Sequence, residues 1–308
     1  MLIRRGRRHE SVPNMTRPLI FSLPGNETMA EKLTAAFGGE SGEIETRRFP
    51  DEETYLRFAT DPAGRSVVLV CTLDRPDPKF LRLAFAVAAA KELRAKRVGL
   101  VAPYLPYMRQ DKQFHPGEAV SSVHFARLVS VGLDWLVTVD PHLHRHKSLD
   151  EIFPIPTRTV HAAPLLAGWI AAHVQRPLVI GPDSESQQWV SAVAELSDAP
   201  YRVLRKERRG DRRVAITVPD LGEVADRAPV LVDDIISSGR TMIETIRHLR
   251  EQGLPPAICL AVHAVFSEEA FGELKKIAAT VVTTNSIPHS SNGIDLASIT
   301  AHSAGDLL

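Results

Sequence analysis

The sequence predicts an α/β fold made of two units, each a mainly parallel sheet flanked by helices. Three observations carry this. Short apolar runs alternate with helix-periodic segments along nearly the whole chain. The runs are β-branched and almost continuous in hydrophobicity, as strands buried on both faces must be. A chain of 308 residues exceeds one average domain and falls short of three.

In order along the chain, MLIRRGRRHESVPN carries four arginines but no apolar core of a signal peptide. Residues 1–17 therefore read as a disordered tail, with a true start at Met15 as the alternative. The first strand is expected at Leu19–Leu23 and the next at Ser66–Thr72. A helix over Pro78–Ala95 follows from the spacing of Phe80, Leu81, Leu83, Ala84, Val87, Ala88 and Leu93. A strand at Arg97–Ala102, a helix at Glu118–Val131 and a strand at Trp135–Val139 complete the first unit. The run LDEIFPIPTRTVHAAP holds three prolines and breaks the rhythm, which sets the division into 18–155 and 156–308. Beyond it come helices at Pro164–His173, Glu185–Leu196 and Gly239–Gln252, and strands at Leu178–Gly181, Val230–Val232, Ala257–Val262 and Thr280–Thr283. Residue identity between the halves is too weak to establish a duplication.

Composition excludes several classes of function. Apolar residues are 44% and charged residues 24%, an ordinary globular balance. Lys plus Arg and Asp plus Glu are both 37, so the excess of positive charge that a general nucleic-acid or membrane-surface binder needs is absent. No run of apolar residues is long enough to span a bilayer. Cys71 and Cys259 sit inside apolar runs and are expected to be buried, reduced thiols, which suits a cytoplasmic enzyme.

The sharpest feature is PVLVDDIISSGRTM at Pro229–Met242, where a strand runs into Asp233 and Asp234 and a short turn then opens a helix. In open α/β sheets, ligands bind at the carboxyl ends of strands. The turn offers backbone N–H groups, the hydroxyls of Ser237, Ser238 and Thr241, and a helix N-terminus, a combination that holds a phosphate monoester. The paired aspartates suit vicinal hydroxyls or a divalent cation. A phosphate and a diol on one ligand describe a 5-phosphoribosyl group. The turn lacks GxxxxGK[ST], so it is no Walker-type nucleotide loop.

This segment resembles the phosphoribosyl-pyrophosphate (PRPP) binding signature of phosphoribosyltransferases. Four further elements narrow the resemblance to ribose-phosphate pyrophosphokinases: RFPDEE at 48–53, PYLPYMRQDK at 103–112, DPH at 140–142 and the basic run around Lys206-Glu207-Arg208. The resemblance spans roughly residues 18–303. It implies two phosphoribosyltransferase-like domains, ATP on the N-terminal one and ribose 5-phosphate on the C-terminal one. The reaction it implies moves the diphosphoryl group of ATP to the C1 hydroxyl of ribose 5-phosphate with Mg2+, giving PRPP and AMP.

It also implies roles for individual residues. Phe49, Asp51 and Glu53 with Arg109, Gln110 and Asp111 would clamp ATP, the Phe-bearing loop reaching in from a neighbouring subunit of a homo-oligomer. Asp233, Asp234, Ser237, Ser238, Gly239, Arg240 and Thr241 would cradle ribose 5-phosphate. His142 would anchor metal, and Asp183 would serve metal or the C1 hydroxyl. Lys206 and Arg208 would close over the transferring phosphates as mobile catalytic cations. This chain departs from the family pattern with Glu52 for a glycine, Arg240 for a small residue, and Asp183-Ser184-Glu185-Ser186 where the family reads DHGG.

Other readings stay open at this level. The run HLHRH would put His142, His144 and His146 on one side of an extended segment, as a zinc site requires. The run YRVLRKERRGDRR at 201–213 reads equally as a solvated hairpin or, less well for want of aromatic residues, an RNA-binding patch. A non-catalytic regulatory relative and a base phosphoribosyltransferase are the rival functions.

Overall fold

The computed structural model describes residues 17–182, 186–209, 213–217, 224 and 226–308. The expected tail therefore lies outside the described residues except for Arg17, and so does Asp183.

Two sheets of six strands carry the chain. The first is built from β1 (Leu19–Ser22), β2 (Glu40–Gly42), β5 (Ser66–Val70), β6 (Arg97–Ala102), β7 (Trp135–Val139) and β8 (Thr157–Val160). They lie in the order β2-β1-β5-β6-β7-β8, with every neighbour parallel. Between β2 and β5 the chain makes an antiparallel hairpin of β3 (Ile44–Arg48) and β4 (Thr54–Phe58). The second sheet repeats this plan with β9 (Pro177–Gly181), β10 (Tyr201–Val203), β13 (Ala228–Ile236), β14 (Ile258–Ala264), β15 (Thr280–Thr284) and β16 (Asn292–Ile294). Their order is β10-β9-β13-β14-β15-β16, again parallel, and again a hairpin intervenes, of β11 (Arg205–Arg209) and β12 (Arg213–Thr217). The topology is thus duplicated although the residues are not.

Helices α1 (Glu27–Phe37), α2 (Asp77–Glu92), α3 (Ser121–Val129), α4 (Ala163–His173), α5 (Gln187–Leu196), α6 (Arg240–Glu251), α7 (Glu268–Ile277) and α8 (Ala297–Ala304) flank the sheets. Strand residues alternate between the faces: in β5, Val67 and Leu69 join the core under α2 and α3, while Val68 and Val70 face the core that contains α1, α4 and α8. That second core is continuous through both halves, from Ile20 and Val137 to Val179, Val232 and Leu296. The outer face of the second sheet packs under α6 and α7.

Several expectations need correction. Residues 157–160 form β8, which pairs with β7, so the first sheet extends to Val160. The helix expected from Glu118 begins at Ser121, because the Glu118 carboxylate turns back to accept from the amides of Phe114 (2.7 Å) and His115 (3.0 Å). The helix expected to reach Ala95 stops at Glu92, two residues before Arg94 takes a positive φ of 63°. The strand expected at Val230–Val232 runs on to Ile236, held by its ladder to β14. The reading of Cys71 and Cys259 as buried thiols agrees with the structure: burial pushes both up to about 12. Among the described residues no helix is long and apolar enough to cross a membrane.

Candidate active site

In the second sheet the chain leaves β9 toward β10 on one side and returns to β13 on the other. Loops at the carboxyl ends diverge there and leave a crevice. Asp233 and Asp234 lie within β13, where Asp233 pairs with Ala261 and Ile235 with His263. The turn Ser237–Gly239 follows, and Gly239 holds φ +68°. That conformation calls for glycine, and a Cβ there would also press on Leu274 Cδ1 at 3.3 Å. Among the described residues no side chain caps α6, so its first-turn amides, beside Arg240 and Thr241, have no side-chain acceptor at the N-cap.

A second arm comes from the end of β7. Asp140 is buried at φ +31°. Its carboxylate accepts from Ala162 N (2.8 Å) and pairs with His161 Nδ1 (3.0 Å), which raises the His161 pKa. Two residues on, His142 Nδ1 lies 2.5 Å from Asp234 Oδ2. Burial opposes charge on Asp234 most strongly, but the hydrogen bond and charge of His142, with help from His263 and Asp233, hold the carboxyl below its ordinary value. The structure thus joins a residue read as the metal anchor to one read as a ribose ligand. His146 instead pairs with Glu151 at 3.3 Å, and among the described residues no three metal-binding side chains converge. The three-histidine zinc reading therefore finds no support among them.

The third arm, from the end of β6, holds Arg109, Gln110 and Asp111. Arg109 is exposed, and the Gln110 amide accepts from Ser121 Oγ (2.8 Å). The Asp111 side chain is only 1% exposed and binds Arg145 at 2.7 Å, so it ties this loop to the HLHRH loop. Two site residues were missed from sequence. Tyr104 sits among charges from Arg109, Asp234 and Asp74, with burial pushing its phenol pKa up. His263, 1% exposed, meets Tyr104 edge-on at 5.0 Å, the Ser286 hydroxyl at 2.9 Å and the Asp140 carbonyl at 3.3 Å. Tyr104 lay in a motif already singled out. His263 was hidden in an apolar strand, and only the β13–β14 register shows that it neighbours the aspartates.

Comparison with known proteins bears on the whole chain. Residues 18–132 match the family model described as the N-terminal domain of ribose phosphate pyrophosphokinase, and residues 148–297 match the phosphoribosyl transferase domain. The chain is 32% identical to the ribose-phosphate pyrophosphokinase of Methanopyrus kandleri, covering 91% of this chain and 96% of that one. It is 30% identical to the Methanobrevibacter smithii protein of the same name, covering 91% and 97%. The chain belongs to the ribose-phosphate pyrophosphokinase family. The phosphoribosylpyrophosphate synthetase of Mycobacterium smegmatis shares the fold, at a TM-score of 0.82 and 24% identity over 93% of this chain and 97% of that one.

The two hairpins hold Phe49, Asp51 and Glu53 on one and Lys206 and Arg208 on the other. At the β3–β4 tip, Phe49 N donates to the Glu53 carbonyl (2.8 Å) and Glu53 N to Asp51 Oδ1 (3.3 Å). Glu52 holds φ +70°, a left-handed conformation that a glycine would adopt without strain. Phe49 is 38% exposed and edge-on to Tyr55, with the Arg47 guanidinium 4.6 Å from its ring. Among the described residues no hydrogen bond or ion pair joins this tip to Arg109, His142 or Asp234. Lys206 and Arg208 lie on β11, opposite Ile216 and Val214 of β12. The basic run is therefore an antiparallel hairpin for the part described.

Proposed function

We propose that this protein transfers the diphosphoryl group of ATP to the C1 hydroxyl of ribose 5-phosphate, forming PRPP and AMP. The observation that carries the reading is the 2.5 Å contact between His142, from the ATP-side half, and Asp234, from the ribose-side half. In this reading the two substrate sites lie edge to edge at that contact. In this reading the α6 turn, with Ser237, Ser238, Gly239, Arg240 and Thr241, takes the 5-phosphate through backbone amides and hydroxyls. Asp233 and Asp234 take the ribose hydroxyls. Arg109 and Gln110 face the triphosphate, with Asp111 setting their loop. Lys206 and Arg208 approach from the second hairpin as charge builds at the β-phosphorus.

The donor set fits Mg2+, which keeps several waters and needs only one or two protein ligands beside phosphate oxygens. His142 and Asp183 would hold it. His142 supports this, since its Nδ1 is paired with the Asp234 carboxylate, the carboxylate–histidine pairing common at metal sites. When bound, the ion neutralises charge on the phosphate oxygens being transferred. The exposed Phe49 tip, which no described hydrogen bond or ion pair joins to Arg109, supports a homo-oligomer in which a neighbouring subunit completes each ATP site. Buried reduced thiols and the lack of a basic excess support a cytoplasmic enzyme with small-molecule substrates.

Phosphorus NMR of the protein with ATP, magnesium and ribose 5-phosphate tests the reading. AMP appearing with a C1-linked diphosphate is the expected result. ADP would mean γ-phosphoryl transfer and would overturn it. Neither product from folded, ATP-binding protein would favour a regulatory relative.

A further inference from the structure

His263 touches all three arms of the site from beneath, yet nothing in the reaction requires it. Its strand β14 pairs with β13 so that Ile235, next to Asp234, lies opposite it. The Asp140 carbonyl, two residues before His142, stands 3.3 Å from its Nε2. A carbonyl only accepts, so Nε2 carries the proton, while Nδ1 lies 2.9 Å from Ser286 Oγ, a hydroxyl that also lies 3.0 Å from the Val262 carbonyl. Ser286 is itself anchored, since its carbonyl accepts from Thr72 Oγ1 at 2.6 Å, at the end of β5. Tyr104, from the arm of Arg109, closes the ring's remaining side.

We propose that His263 is a positioning residue: by donating to the Asp140 carbonyl it fixes the end of β7 against β13 and so sets the His142–Asp234 contact. The Asp140 backbone needs such a restraint, because φ +31° is strained for a residue other than glycine. The idea rests on the reading of His142 and Asp234 as the meeting point of the two substrate sites.

Two substitutions separate the two ring nitrogens. His263→Gln places an amide N–H where Nε2 was and keeps the bond to Asp140. His263→Asn reaches only toward Ser286. The first readout is the downfield proton resonance of the His142 Nδ1–H···Asp234 bond, assigned by its loss in His142→Asn. It needs no substrate, so it stands even if the proposed reaction is wrong, which a wild-type protein without PRPP formation would reveal separately. The second readout is kcat and KM. His263→Gln should keep the resonance and hold kcat within about threefold. His263→Asn should lose the resonance and about 30-fold in kcat with KM for ribose 5-phosphate nearly constant, the pattern of misplaced groups and not lost binding. Equal behaviour of the two variants, or an intact resonance in His263→Asn, would overturn the proposal. Should His263→Asn fail to fold, His263→Gln and Ser286→Ala decide: both keep the Asp140 bond, and loss of the resonance in either folded variant overturns it.

Discussion

Asp234 and His263 show how a site residue's charge is set by what surrounds it. Burial holds His263 neutral, pulling its pKa below the usual 6.5, against the pull of Asp140 and Asp234. A histidine whose folded value is depressed binds fewer protons than the unfolded chain, so stability is full above the unfolded value and falls as pH drops through about 6.5. Asp234, also depressed, adds a loss in the same direction at lower pH, within the carboxylate range. His161 has the opposite sign, since Asp140 raises it, but its largely exposed side chain is screened by solvent. The urea midpoint should therefore fall between pH 7.5 and 5.5, and His263→Gln should flatten that fall; an equal fall in both proteins would contradict the assignment. Lys206 tests the catalytic reading. A cation that acts only as charge builds in the transition state should cost about 100-fold or more in kcat when changed to alanine, with ATP binding nearly unchanged. Parallel loss of both in kinetics and titration would remove it from that role. Such residues as Asp233, Asp234 and His142 were legible because their motifs are local. Tyr104 and His263 were not, because their roles come from packing between distant strands.

At the scale of elements, the buried parallel strands were legible and the small ones were not. The strands β5, β6, β7, β9 and β14 are apolar runs that announce themselves. The hairpin β3–β4 has no continuous apolar run, β2 and β16 are three residues long, and β8 lies in the proline-rich run read as the division between the two units. Helices α1, α7 and α8 were missed as well; α7 carries a clear signal in retrospect, with Ser267 capping at Ala270 N, acidic residues in the first turn and lysines in the last. Repetition of strand order and of the inserted hairpin shows that each half uses the same position for a projecting arm, one bearing Phe49 and the other Lys206. Side-chain size at one cross-strand pair is tightly set. Gly99 on β6 lies opposite Trp135 on β7, and a Cβ there would run into the indole. Gly99→Val should cost about 3 kcal/mol or more, read as a lower urea midpoint, because neither a paired strand nor a buried indole can retreat. A midpoint within error of wild type would show that the indole can move.

Across the whole molecule the two halves are not independent bodies. Helix α8, which follows the last strand of the second sheet, packs on α1 and on β7 and β8 of the first. Ala297, Thr300, Ala301, Ala304 and Leu307 are buried there, and Lys32–Asp295 (2.7 Å) and Arg158–Asp306 (2.7 Å) flank the seam. Removing residues 297–308 should therefore destabilise the first half as well as the second, by about 4 kcal/mol from lost apolar burial. Hydrogen exchange should show it as lost protection in β1, α1 and β7; protection unchanged there would mean that the seam contributes nothing. Two α/β units are legible in the sequence but the seam is not, since small residues such as Ala301 and Ala304 say nothing about their partners. The seam also has a consequence for biosynthesis. The first sheet leaves the ribosome long before α8 is made, with Met29, Ala30 and Leu33 of α1 still uncovered. The N-terminal half must wait with an apolar face open until α8 has been made, and a holding chaperone would find its binding surface there.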